Sequence, residues 1–124
     1  MAIDTQQLDD IVRNFVVDTS HVQGAALVSP AGLSLAGSLP EGMAENRVAA
    51  MAAAAMTIGD RIGDELQRGS MQYILFSGDR GYSFLTLCGP EALFLVLTSC
   101  DVKEGILMIE VQRTVEEMAR IMRE

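Results

Sequence analysis

The sequence predicts an α/β fold of the α+β type: one five-stranded antiparallel sheet with helices on both faces, in the order α-β-β-α-β-β-β-α. Three observations predict it. Three stretches carry apolar residues at helical spacing. Five short apolar runs lie between them, grouped by turns too short for a crossover, so neighbours within a group form antiparallel hairpins. The last two runs are apolar on both alternating faces, which a sheet wetted on one side would not be. A chain of 124 residues fits one domain, 1–124.

The elements follow in order. Over residues 4–17, Leu8, Ile11, Val12, Phe15 and Val16 share one face of a 3.6-residue period. Asp4 with Gln7 has the pattern of a capping box, and early acids suit the positive end of the helix dipole. Residues 22–28 and 33–36 read as a strand and its return, because Ser29-Pro30-Ala31-Gly32 places proline and glycine where a turn favours them. Gly37-Ser38-Leu39-Pro40 then loops into a long helix over 41–68. On one of its faces lie Val48, Met51, Ala52, Ala55, Gly59, Ile62 and Leu66, the candidate core. The opposite face holds Asn46, Ala50, Ala53, Ala54, Thr57, Arg61, Asp64 and Arg68, and its first half is mostly alanine. Gly59 and Gly63 each cost about 1 kcal/mol against alanine in a helix, which makes sense where another element approaches closely. Gly69 ends the helix.

Strands over 71–77, 82–88 and 92–98 come next, joined through Gly78-Asp79-Arg80-Gly81 and Gly89-Pro90-Glu91. Phe84 opposes Leu85 and Leu87, and Phe94 and Val96 oppose Leu93, Leu95 and Leu97. The last helix, over 101–122, opens on an Asp101/Glu104 capping box. It buries Leu107, Val111, Val115, Met118 and Met122 and solvates Glu110, Arg113, Glu116, Glu117, Arg120 and Arg123. The long middle helix should cover one face of the sheet and the other two helices the opposite face.

Composition narrows the function. Acids outnumber bases 17 to 9, the formal net charge is -8, and Lys103 is the only lysine. A phosphate backbone or an anionic membrane would repel such a chain. The longest apolar-rich stretch, 48–58, is far short of the ~20 residues of a membrane span. Residues 1–20 lack the pattern of a secretory signal, so the expected location is the cytoplasm. Hydrophobic residues make up 49% of the chain, more than a small domain easily hides, and part of them should end in a subunit or partner interface. Cys88 and Cys100, on neighbouring antiparallel strands, would stand roughly 26 Å apart by strand rise. A disulfide needs Cα atoms within about 7 Å, so both are expected as buried thiols. The eight methionines read chiefly as core gap-fillers.

Patterns that carry chemistry are missing. There is no GxxxxGK[ST] and no GxGxxG after a strand. His21, the only histidine, has no HxxxH partner and reads as a surface or hinge residue. The carboxylate pairs Asp9-Asp10, Asp60/Asp64, Asp64-Glu65 and Glu116-Glu117 lie on charged helix faces, and Ser29, Ser77 and Ser83 have no GxSxG setting. No catalytic residue, metal or cofactor is expected.

The order of elements, the length and several local runs together resemble the roadblock / dynein light chain family, especially its bacterial, small-GTPase-regulating members. Gly24-Ala25-Ala26-Leu27-Val28-Ser29 with Gly32-Leu33 looks like the family's first hairpin. The run Arg47-Val48-Ala49-Ala50-Met51-Ala52-Ala53-Ala54 looks like the start of its middle helix. Gly81-Tyr82 and Ala92-Leu93-Phe94-Leu95-Val96-Leu97 look like its later hairpins. The similarity spans roughly 5–122. Where members often open the last helix with Leu-Gly, this chain has Glu104-Gly105.

The resemblance implies a homodimer in which the third strand pairs across a two-fold and the two long helices lie side by side. That would engage Ala53, Met71, Tyr73, Leu75 and Ser77. It also implies a Ras-like small GTPase as partner, bound without catalysis on Asn46, Arg47, Ala50, Ala54, Thr57, Arg61 and Asp64. Arg47, Arg61 and Arg80 are all available as an arginine finger, and nothing in the sequence selects one. A structural adaptor or motor light chain that binds a larger protein independently of nucleotide is the second expectation. A small-molecule sensor or enzyme is the third.

Overall fold

The computed structural model describes residues 5–90 and 92–123. Its elements are α1 (Thr5–Asp18), β1 (Val22–Val28), β2 (Ser34–Ser38), α2 (Glu45–Glu65), β3 (Tyr73–Gly78), β4 (Gly81–Leu87), β5 (Leu93–Thr98) and α3 (Glu104–Arg123). The Asp4 half of the first capping box lies outside the described residues. The five strands form one sheet in the order β2-β1-β5-β4-β3, with every pairing antiparallel. Short turns join β1 to β2, β3 to β4 and β4 to β5, and α2 carries the chain from one edge to the other.

Strand alternation sorts the side chains onto two faces. Ala25, Leu27, Phe84, Phe94 and Val96 pack under α1 and α3 with Leu8, Val12, Phe15, Leu107, Val111, Val115 and Met118. Phe15 meets Phe94 edge-on at 5.3 Å between ring centroids, a geometry aromatic rings favour. Ala26, Val28, Leu85 and Leu93 face the other way, onto Ala49 and Ala52 of α2. The arrangement is the expected one, with α2 alone on one face and α1 and α3 on the other.

The helix limits differ from the sequence reading for local reasons. α2 begins at Glu45 rather than 41, because Gly42 takes a left-handed φ of 92°. At its other end the chain leaves the helix before Gly69: Gln67 has φ 57°, and the amides of Arg68 and Gly69 both donate to the Gly63 carbonyl, at 2.7 and 3.2 Å. α3 begins at Glu104, so Asp101 does not cap it. Asp101 instead belongs to a turn in which its own amide donates to Ser99 Oγ at 3.3 Å.

Two readings of the core are corrected. Cys88 is buried, but Cys100 is exposed, and both thiols are free. The face of α2 taken as core is covered only in part: Val48 and Ala52 are buried, whereas Met51 is 64% exposed, Ile62 51% and Leu66 63%. The methionines divide likewise, with Met71 and Met118 buried and Met43, Met51 and Met108 exposed.

Candidate protein-interaction surface

The surface is built from β3 upward. A two-residue loop, Asp79-Arg80, joins β3 to β4, so the flanking pair Gly78↔Gly81 exchanges both ladder hydrogen bonds. Alternation then turns the backbone groups of Ile74 and Phe76 toward β4 and those of Tyr73, Leu75 and Ser77 toward the outer side. Among the described residues no strand pairs with that side. Sheet edges are usually blunted by charge or proline, yet the run from Met71 to Gly78 carries neither. Tyr73 is held in place by its ring contact with Phe84, 5.1 Å between centroids.

α2 crosses the sheet obliquely. Its start stands beside Gly37 of β2, its first half passes the Gly32 turn, and Gly59 lies against Met71 and Ile74 at β3. Small residues permit these approaches: the Met71 sulfur and Ile74 Cδ1 would be only 2.5 and 3.1 Å from a Cβ on Gly59. The oblique crossing leaves part of the sheet bare. A groove of about 400 Å³ opens there, lined chiefly by Met51, Ala55, Ile74, Phe76, Leu95 and Leu97.

On a helix of 3.6 residues per turn, α2 presents three arcs. One is buried and centres on Ala52 and Gly63. Beside it runs an apolar stripe of Met51, Ala55, Ile58, Ile62 and Leu66, exposed except for the half-buried Ala55. Asn46, Arg47, Ala50, Ala54, Thr57, Arg61 and Asp64 form the third, outward arc, and all seven are exposed. The polar tips of this arc partly bond along their own helix. Thr57 Oγ1 donates to the Ala53 carbonyl at 3.2 Å, and Arg61 pairs with Glu65 at 3.0 Å in full view of solvent.

The five residues expected at a self-interface are placed unequally. Tyr73, Leu75 and Ser77 stand together on the open edge. Met71 is buried against Gly59 of its own chain, and Ala53 stands beside the Gly32 turn, across α2 from the apolar stripe. Sequence reasoning missed Ile58 and Phe76, 59% and 65% exposed, and took Met51, Ile62 and Leu66 for core. The available signal was width: the apolar and small positions of α2 span more of its circumference than one layer of sheet can cover.

Chemical groups are sparse on this surface. Among the described residues no three His, Cys, Asp or Glu side chains gather as a metal site would need. Among the described residues the clear pKa shift lies elsewhere: burial pushes the Cys88 thiol up to about 12. His21, in a left-handed turn with φ 71°, has its Nδ1 3.4 Å from Ser99 Oγ, and the Ser99 amide donates to the His21 carbonyl. No described helix is long and apolar enough to cross a membrane.

The chain is thus an α+β domain whose β3 edge is open and uncharged and whose helix α2 is only half covered, the features of a candidate protein-interaction surface. Residues 8–98 match the Roadblock/LC7 domain, and the chain belongs to that family. An uncharacterized protein of Methanocaldococcus jannaschii, MJ1340, is 29% identical over 100 residues, 81% of this chain and 87% of that protein. The fold is that of a Roadblock/LC7 domain from Streptomyces avermitilis, with TM-score 0.86, 19% identity, and coverage of 94% of this chain and 98% of that one. Myxococcus xanthus MglB superposes with TM-score 0.90 at 10% identity, over 99% of this chain and 92% of that one.

Proposed function

We propose that this chain is a non-catalytic, homodimeric regulator or scaffold for a Ras-like small GTPase. The observation that carries the reading is the pairing of an uncharged open strand, Tyr73–Gly78, with an exposed apolar stripe on the adjacent helix α2. One surface would serve self-association. The outward arc of α2, from Asn46 to Asp64, would remain accessible for the GTPase, doubled by the two-fold. Membership of the Roadblock/LC7 family supports the class of partner. The lack of a polar convergence in the groove speaks for binding over turnover.

The test passes the source organism's lysate, supplied with GDP or a non-hydrolysable GTP analogue, over the immobilised chain and asks whether a small GTPase is retained. Retention in one nucleotide state, weakened by Arg61→Glu, is the expected result. Retention of a different, larger protein, equal in both states, would replace this reading with the adaptor one.

A further inference from the structure

Resting on the homodimer reading, we infer that the two-fold axis passes through Leu75, so that each Leu75 pairs with its own copy and each Ile74 with the partner copy's Phe76. Three constraints on β3 lead there. The first is parity. Only Tyr73, Leu75 and Ser77 turn backbone donors and acceptors outward. In a self-paired antiparallel edge these odd residues must face odd residues, so the axis passes through a whole residue and never between two.

The second is saturation. With the axis at Leu75, Tyr73 meets Ser77 of the other copy and every outward group from Tyr73 to Ser77 finds a partner. With the axis at Ile74, Ser77 overhangs the partner strand. With the axis at Phe76, Tyr73 meets Asp79, which lies in the turn. An edge that saturates its hydrogen bonds excludes further strands.

The third is side-chain pairing on the groove face. Phe76 is 65% exposed and lies two positions from Ile74, which lines the groove. The Leu75 axis sets each Phe76 opposite an Ile74, an aromatic and β-branched pair that adjacent strands favour. The Ile74 axis would set Phe76 opposite Gln72, and the Phe76 axis would set Ile74 opposite Gly78. Each protomer thus contributes Phe76 to the other's groove, which a single chain leaves open beside Met51 and Ala55.

Single-cysteine cross-linking tests the register in a Cys100→Ser background, where the remaining Cys88 is buried. Hydrogen-bonded pairs bring Cα atoms to about 5.5 Å, within disulfide reach. Under mild oxidation Leu75→Cys should run at twice the chain mass on a non-reducing gel, while Ile74→Cys and Phe76→Cys alone should stay single. An equimolar, co-refolded mixture of the last two should cross-link, which keeps the test open if Leu75→Cys folds poorly. Self-cross-linking of Ile74→Cys or Phe76→Cys overturns the register, as does silence of every variant while sedimentation still finds a dimer. A monomer by sedimentation for the unsubstituted chain overturns the dimer reading itself.

Discussion

At the scale of single residues, the glycines of α2 separate two effects that sequence alone merges. Replacing a helix-interior glycine with alanine ordinarily stabilises by about 1 kcal/mol. At Gly63 the gain is reversed, because the Gly69 carbonyl occupies the space a Cβ needs and is backbone that cannot swing away. Gly63→Ala should therefore lower stability by about 1–3 kcal/mol, read as a lower urea midpoint. At Gly59 the obstacles are the tips of Met71 and Ile74, which can rotate, so Gly59→Ala should stay within about 1 kcal/mol of neutral. Equal effects at both sites would contradict the close turn at the end of α2. Cys88 sets an alkaline limit by a different route. Its thiol titrates near 9.0 when unfolded and near 12 when folded. The folded state thus binds the proton more tightly, and its advantage is intact below pH 9.0 and declines as pH rises toward 12. Cys88→Ala should flatten that decline in pH-dependent unfolding, and an unchanged slope would assign it to other groups.

At the scale of elements, Arg61 shows how little a surface ion pair fixes. Its bond to Glu65 is solvent-exposed on both sides and is worth about 0.3–0.5 kcal/mol. Arg61→Glu should leave the helical circular dichroism intact while weakening the proposed GTPase complex, and a loss of fold would disqualify the variant as a probe. The elements themselves were largely legible. Helical periodicity marked α1 and α3, and turn chemistry at Ser29-Pro30-Ala31-Gly32 marked the first hairpin. α2 was legible in kind but not in role. Periodicity finds an apolar arc, but how much of that arc meets the sheet depends on the crossing angle, which side chains over β1, β2 and β3 decide jointly. Met51, Ile62 and Leu66 therefore read as core although Val48 and Ala52 do the packing. Phe76 was missed because strand alternation drew attention to Tyr73, Leu75 and Ser77, while its own exposure follows from the bare sheet beside α2.

At the scale of the whole molecule, the surplus of apolar residues becomes a question of concentration. Met51, Ile58, Ile62, Leu66 and Phe76 are all more than half exposed in the single chain, which is costly unless a partner covers them. A homodimer stabilises by mass action, so its thermal midpoint rises with protein concentration. In the proposed homodimer, burying an isoleucine would be worth about 2 kcal/mol and the two-fold would count it twice, so losing that contact would weaken dimerisation by about 4 kcal/mol, roughly a thousand-fold. Ile62→Asp should accordingly give a monomer by sedimentation that keeps its circular dichroism, because Ile62 lies outside both buried clusters. Its midpoint should no longer depend on concentration, whereas that of the unsubstituted chain should climb. If both chains melt at the same temperature at every concentration, the apolar stripe is covered by a different protein, and α2 meets that partner with its flank as well as its outward arc.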